Sequence, residues 1–403
     1  MSEEESICGV MKKILIVNNN MAIGGVQKSL YNLLWAIHDR YDVTLCLFRV
    51  TGTYMEALPP DVKIVECSGL FRYLGVSQGQ CRGVHKLIRG ALALIARLFG
   101  RKTAIKLMLA VEKALPEHYD CAIAFLHNGN VKNFYGGVQE FVLKKTVADQ
   151  KIAFLHCDYS SCGADHPVNN RLIAQFDRIA ACSDGCRRAF VSVLPELGKK
   201  CVTVRNCHRF DEIRRQAAVP VKMDRTRGPN ILMVSRLAHE KGIERGLQAV
   251  AEARRRGLTF TLHIVGGGPM EQSLRETAEA EQIKDAVRFY GQQSNPYPYM
   301  TGADLLLMTS FHEAAPMVIE EAVSLGVPVL TTRTTSSEEM VLAARAGWVC
   351  ENEQSALTAA LIGILSDLQG LMDKKKWLQG QIMDNTRAQS QFLRLIEEQH
   401  EKD

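Results

Sequence analysis

Short apolar runs recur along this chain at intervals that leave room for a helix between each pair, and this alternation limits the fold more than any other feature. Lys13–Asn18 (KILIVN) leads through Gly24 and Gly25 into a helical stretch from Gln27 to Asp39. Strand, glycine turn and helix in that order open a doubly wound α/β domain. Further strands are expected at Val43–Phe48, Lys63–Cys67, Cys121–Leu126, Lys151–Leu155 and Arg178–Cys182. The proline and charges of VPVKMDRTRGPN (219–230) read as a linker. A second series then runs through Ile231–Ser235, Thr261–Val265, Val287–Tyr290, Leu305–Met308 and Val327–Thr331. That spacing predicts a second parallel sheet with crossover helices. Two such domains suit a chain of 403 residues, which is long for one core. They would face each other across a cleft at the C-terminal edges of both sheets.

Composition excludes several classes. With 46% hydrophobic and 23% charged residues the chain is neither disordered nor fibrous. No apolar stretch reaches the ~20 residues needed to span a bilayer. The opening MSEEES is acidic where a secretory signal is basic. Twelve cysteines show no CxxC pair; Cys182 and Cys186, one helical turn apart, come nearest to a metal-binding spacing. Buried, reduced thiols and a cytoplasmic location are therefore expected.

The net charge of +5 is unevenly spread. Between residues 81 and 113 stand Arg82, Lys86, Arg89, Arg97, Arg101, Lys102, Lys106 and Lys113, with Glu112 the one acid. Apolar residues such as Leu87, Leu94, Leu98 and Phe99 fill the gaps at roughly helical spacing. Two readings compete: a basic amphipathic helix pair on the inner, anionic face of a membrane, or a solvated face packed on its own domain. Nucleic acid is not favoured, because no aromatic residues are interleaved for base stacking.

Chemistry gathers at the strand ends of the second half. ILMVSRLAHEKG (231–242) places Arg236 and Lys241 just past a strand, where a planar fork and a point charge suit a diphosphate. HIVGGGP (263–269) ends another strand in a tight turn around Gly266, which by itself signals only positive φ. FHEAAPMVIEEA (311–322) is the strongest signal. Pro316 suits the first position of a helix, and backbone N–H groups near Pro316, Met317 and Val318 can cradle a phosphate. Glu313 stands before that helix and Glu321 about one and a half turns into it. Glu321 lies too deep to serve the macrodipole, and neighbouring Glu320 offers a solvated alternative. The pair is expected to hold hydroxyls.

SRLAHEKG, IVGGGP and SFHEAAPMVIEEAVSLGVPVLTT together resemble the C-terminal half of GT-B glycosyltransferases, in particular the retaining family 4 (glycosyl transferases group 1). GGVQKSLYNLL, from Gly24, resembles that family's glycine-rich donor-side loop. The resemblance implies Rossmann-like domains: 1–208 for the acceptor, 209–385 for the nucleotide sugar, and a helix over 386–403 packing back toward the first. It also implies that Arg236 and Lys241 neutralise the donor diphosphate, that Glu313 accepts from sugar hydroxyls and Glu321 from the ribose. Gly24 and Gly25 would let the backbone approach phosphate or acceptor, and Gly266 would join the donor site. A catalytic histidine would be His127, after CAIAFL, or His156, after KIAFL; Asp158 would orient that ring or bind acceptor. Two departures stand out: Ala314 and Ala315 replace the usual glycine and aromatic, and TTRTTSSEEM (331–340) lacks paired glycines, although Glu339 keeps its distance to Gly347.

No two aspartates are separated by a single residue, so the DxD chelate of the other glycosyltransferase architecture is absent and no metal or cofactor is expected. The implied enzyme is a hexosyltransferase. It would move a sugar from a UDP- or GDP-sugar to a hydroxyl of a cell-surface polysaccharide or lipid-linked glycan. Two alternatives remain: a GT-B nucleotide-sugar epimerase, and a non-catalytic module that binds nucleotide sugar or membrane.

Overall fold

The computed structural model describes residues 11–76, 78–223 and 228–398. The acidic MSEEES, residues 224–227 of the expected linker and residues 399–403 lie outside the described residues. The chain divides into two compact units. The first comprises Met1–Cys182, Arg187–Cys207 and Arg387–Asp403; the second comprises Ser183–Cys186 and His208–Thr386.

The first unit is built on a parallel sheet of β1 (Lys13–Asn18), β2 (Asp42–Leu47), β3 (Lys63–Glu66), β4 (His118–Ala124), β5 (Val147–Leu155), β6 (Arg178–Ala181) and β7 (Cys201–Thr203). Their order is β3-β2-β1-β4-β5-β6-β7, so the direction of winding reverses between β1 and β4. Ile14 pairs with both Val43 and Cys121, and Ile14 to Val17 are fully buried. Helices on both faces of a parallel sheet demand such an uninterrupted apolar run. One core cluster joins this sheet to Phe392, Leu395 and Ile396 of the helix Thr386–Glu397. Arg178 reinforces the contact, its Nη1 donating to the carbonyls of Arg394 (3.1 Å) and Leu395 (3.2 Å).

The second unit repeats the plan with β8 (Asn230–Val234), β9 (Thr261–Val265), β10 (Val287–Phe289), β11 (Leu305–Met308), β12 (Val329–Thr332) and β13 (Gly347–Cys350), ordered β10-β9-β8-β11-β12-β13. Its winding reverses between β8 and β11. In open α/β sheets the strand ends at such a reversal form a natural ligand crevice.

The sequence gives no warning of β7 and β13. The first is only three residues long, and the second opens on Gly347. That glycine is required by close approach, since a Cβ there would stand 1.9 Å from the Val329 carbonyl oxygen.

The basic segment forms two helices, Gly83–Phe99 and Arg101–Val111. Arg101 does not belong to the exposed charge: it is 1% exposed, its Nη2 donating to Asn169 at 2.7 Å and lying 3.2 Å from Glu140. Glu112 is withdrawn too, its carboxylate accepting from the Gly69 amide at 3.0 Å. The exposed charges left on these helices and their ends are Arg82, Lys86, Arg97, Lys102, Lys106 and Lys113. No single described helix is long and apolar enough to cross a membrane. The bent pair Gln354–Ser366 and Leu368–Gln379 passes on length and composition, but Leu357, Leu361, Ile364, Leu365 and Leu371 place it in the second unit's core.

Candidate active site

In the second unit the loops leaving β8 and β11 are stitched together. Thr309 Oγ1 donates to the carbonyls of Lys241 (3.1 Å) and Gly242 (2.8 Å), and the Phe311 amide donates to the Glu240 carbonyl (2.9 Å). Gly242 has φ +57°, and a Cβ there would meet the Thr309 carbonyl oxygen at 2.3 Å, so no side chain fits. This stitching brings Lys241 Nζ to 2.6 Å from Glu313 Oε1, an oxygen that also accepts from Ser310 Oγ at 2.7 Å. Both contacts fall on Oε1. Among the described residues none donates to Oε2.

Arg236 takes a different position. Its side chain is 68% exposed and pairs with Glu240, the residue before Lys241. Burial works to raise the Glu240 carboxyl, but a backbone hydrogen bond and the Arg236 and Lys241 charges outweigh it and hold the group below the usual carboxylate range. Lys241 and Glu313 therefore meet directly, while Arg236 stands one residue out from them, at the surface.

Glu321 lies in the helix Met317–Ser324 and is 3% exposed. Pro316 is the N-cap of that helix rather than its first residue, with φ −68° and ψ 116°, and Met317 and Val318 begin the first turn. Glu320 is no solvated alternative: its Oε2 lies 2.7 Å from Nε2 of the buried His208.

Gly266 owes its presence to packing. A Cβ at this position would fall 1.8 Å from the Ser235 carbonyl oxygen. The turn it allows lets the Leu237 amide donate to the Gly267 carbonyl (3.0 Å) and the Met270 amide to the Leu237 carbonyl (3.1 Å). Gly266 thus positions the loop that carries Arg236 and Lys241. Sequence reasoning missed Ser235, whose buried Oγ has no hydrogen-bond partner among the described residues. In a native protein such a group needs an explanation, and here it borders the charged loop.

In the altered loop 331–340 the glutamate is engaged by backbone amides. Glu339 accepts from the backbone amides of Asp184 (3.0 Å) and Gly185 (3.1 Å). Gly185 supplies closeness that the missing glycines do not, since a Cβ there would stand 1.8 Å from the Thr335 carbonyl oxygen. Ser183 Oγ and Cys186 Sγ both donate to the carbonyl of Ala314, at 3.0 and 3.3 Å, beside Glu313.

In the first unit His127 and His156 follow the adjacent strands β4 and β5. Burial lowers the His127 ring to about 4; burial, then the nearby His127, lowers His156 to about 3. Both rings are neutral at pH 7, and His127 Nδ1 and His156 Nε2 are buried without hydrogen-bond partners among the described residues. Asp158 Oδ1 accepts from the amides of Ser160 (3.2 Å) and Ser161 (3.1 Å), shaping the turn after His156. Gly24 is the N-cap and Gly25 the first residue of the helix Gly25–Ile37. Gly24 has extended backbone that any residue adopts, whereas a Cβ on Gly25 would meet nothing within 4 Å.

Residues 218–376 match the family model described as Glycosyl transferases group 1. The second unit is a glycosyl transferases group 1 domain. The putative colanic acid biosynthesis glycosyltransferase WcaL of Escherichia coli K12 is 32% identical over 159 residues, 37% of this chain and 39% of that relative. The chain thus spans about two fifths of that curated relative's length. Likeness of fold extends much further. Anabaena Alr3699/HepE in complex with UDP and glucose superposes with a TM-score of 0.63 at 17% identity, covering 94% of this chain and 98% of that one. WaaG, a glycosyltransferase involved in lipopolysaccharide biosynthesis, gives 0.61 at 16% identity, covering 96% and 100%. The fold is GT-B.

Proposed function

We propose that the chain is a retaining glycosyltransferase moving a sugar from a UDP- or GDP-sugar to a hydroxyl of a cell-surface polysaccharide or lipid-linked glycan. The observation that carries this reading is the contact of Lys241 with Glu313 at the reversal between β8 and β11, a cation and a sugar-holding acid fixed in one place. Lys241, with Arg236 swinging in from Glu240, neutralises the diphosphate as it departs, the point at which charge develops. These side chains stand where other enzymes use a divalent ion, so the transfer needs none. Glu313 Oε2 accepts from sugar hydroxyls, and Glu321 from the ribose. The first turn at Pro316, Met317 and Val318 offers backbone N–H groups to phosphate. The departing phosphate oxygen takes the acceptor proton, with no protein nucleophile. Because His127 lies against two thiols, His156 is given the place beside the reacting centre, with Asp158 shaping the acceptor loop. The bound UDP and glucose of HepE support a nucleotide-sugar donor.

The helix Gly83–Phe99 supports the membrane reading. It buries Leu92 and Ala96, yet Leu87 is 73%, Leu98 64% and Phe99 69% exposed. Val84, Leu87, Ala91, Leu94 and Leu98 form a second apolar stripe at helical spacing, flanked by exposed cations. An anionic lipid surface fits that pattern.

The test begins with a thermal-shift panel of UDP- and GDP-sugars, followed by turnover of the donor that binds. K241A and E313A should each lose at least about a hundredfold in turnover, the scale set by roughly 3 kcal/mol per lost electrostatic contact. Unchanged turnover would defeat the assignment, and epimerised donor formed without acceptor would move the chain to the epimerase class.

A further inference from the structure

The ends of β4 and β5 gather three soft metal ligands that sugar transfer does not employ. One ring nitrogen of His127 and the sulfurs of Cys157 and Cys162 all lie within 4.8 Å of one another. In a tetrahedral zinc site, with Zn–S near 2.3 Å and Zn–N near 2.0 Å, ligand atoms stand roughly 3.4 to 3.8 Å apart. Small side-chain rotations close that gap. We propose that His127, Cys157 and Cys162 bind one zinc ion, with a water in the fourth position, clamping the loop after β4 to the loop after β5.

The surrounding scaffold holds these loops in place. Asn169, buried at 2% exposure, donates from Nδ2 to the Gly129 carbonyl (3.1 Å) and the Ala164 carbonyl (2.8 Å), joining the two loops. Arg101 holds Asn169 in turn through its Oδ1, at 2.7 Å. Between the cysteines the chain makes a compact turn: the Cys162 amide donates to the Asp158 carbonyl (3.0 Å), and the amides of Ala164 and Asp165 share the Tyr159 carbonyl at 3.1 Å each. The two sulfurs are thereby brought near His127.

The ligand chemistry selects the ion. Two thiolates and an imidazole favour zinc over magnesium or manganese, which take oxygen ligands. Neutral imidazole is the metal-binding form. Independently of the cysteines, His127 carries a buried Nδ1 with no hydrogen-bond partner among the described residues, although ring nitrogens of ligating histidines and of core histidines alike are normally satisfied. This ion is separate from the donor diphosphate, whose charge is assigned to Lys241 and Arg236.

The full chain, purified under reducing conditions and stripped with chelator, is to be reloaded with zinc sulfate and desalted. One zinc per chain should remain by mass spectrometry. Cobalt chloride in its place should give a tetrahedral visible spectrum with a thiolate-to-cobalt band in the near ultraviolet. That band should weaken in C157S and in C162S and vanish in the double variant; H127A should lower zinc affinity at least tenfold. Zinc should raise Tm of the wild type but not of the double variant, whose folding is checked by circular dichroism. No retained zinc, a cobalt spectrum without sulfur character, equal zinc binding by C157S/C162S, or a Cys157–Cys162 disulfide in the reduced, loaded protein would each overturn the site. None of these readouts depends on sugar transfer, so the site and the proposed activity fail separately.

Discussion

Replacing Leu87 and Leu98 with glutamine separates the two readings of the basic helices. With 73% and 64% exposure, these side chains contribute little to the fold but have most of their apolar surface available to a bilayer. A leucine is worth about 2 kcal/mol when fully buried, so the exposed fractions correspond to about 1.5 and 1.3 kcal/mol. Together that is roughly a hundredfold in partition to a membrane, or about tenfold if only half the exposed surface enters. Folding stability should change by less than about 0.5 kcal/mol, as at ordinary surface positions. The assay is co-sedimentation with vesicles of phosphatidylglycerol and phosphatidylethanolamine, with Tm followed in parallel. Binding by the wild type should weaken as salt rises, because Lys86, Arg97, Lys102 and Lys106 each contribute about 1 kcal/mol near an anionic surface. Equal sedimentation of wild type and L87Q/L98Q would refute the membrane reading. A fall of many degrees in Tm would show instead that the leucines pack on protein.

Three further substitutions probe local claims. G25A should fold at least as well as the wild type, since its Cβ enters open space and alanine is favoured over glycine in a helix by up to about 1 kcal/mol; transfer should nevertheless fall, and full activity at unchanged or raised Tm would remove Gly25 from the site. G266A places a Cβ 1.8 Å from the Ser235 carbonyl oxygen and should cost about 3 kcal/mol in urea unfolding, whereas a neutral result would mean the β8 loop yields freely. R101A should cost about 3 to 5 kcal/mol, because it takes the cation away from the partly buried Glu140 and the donor away from Asn169 Oδ1. R97A, at an exposed position on the neighbouring helix, should be near neutral, and similar costs for both would contradict the assignment of Arg101 to the interior.

Much of the fold was legible because parallel strands buried on both faces must be continuously apolar. KILIVN, TLHIV and LLLM are strands over the residues their pattern marks. Where the pattern fades, prediction fades with it: CVT is too short to show a period, and GWVC begins with a glycine kept for close approach. Charge was harder to place than hydrophobicity. Arg101 and Glu112 look like solvated residues in a basic run, and Glu320 like a bystander to Glu321, because nothing local announces Asn169, Gly69 or His208 as their partners. The soft-ligand cluster was illegible for the same reason. His127 and Cys157 come from successive strands, and five positions separate Cys157 from Cys162, so no short motif holds all three.

The contact between Lys241 and Glu313 has a further consequence for how the site works. Each could be solvated more cheaply alone, and an exposed ion pair would add little. Here both are partly buried, at 23% and 12% side-chain exposure, and backbone contacts fix their loops before any ligand arrives. Asn352 extends that frame: its Nδ2 donates to the carbonyls of Phe311 (3.0 Å) and Arg333 (3.1 Å), and Arg245 Nη1 donates to its Oδ1 at 2.7 Å. Thr332 Oγ1 closes the frame by donating to the Ser310 carbonyl at 2.7 Å. In the proposed transfer a diphosphate reaching Lys241 would compete with Glu313 for one ammonium, which can serve both because it carries three donors. The acid and the cation are thus positioned by each other, so that in the proposed transfer the free protein would already hold the charge arrangement a departing phosphate needs, with little reorganisation left when the bond breaks.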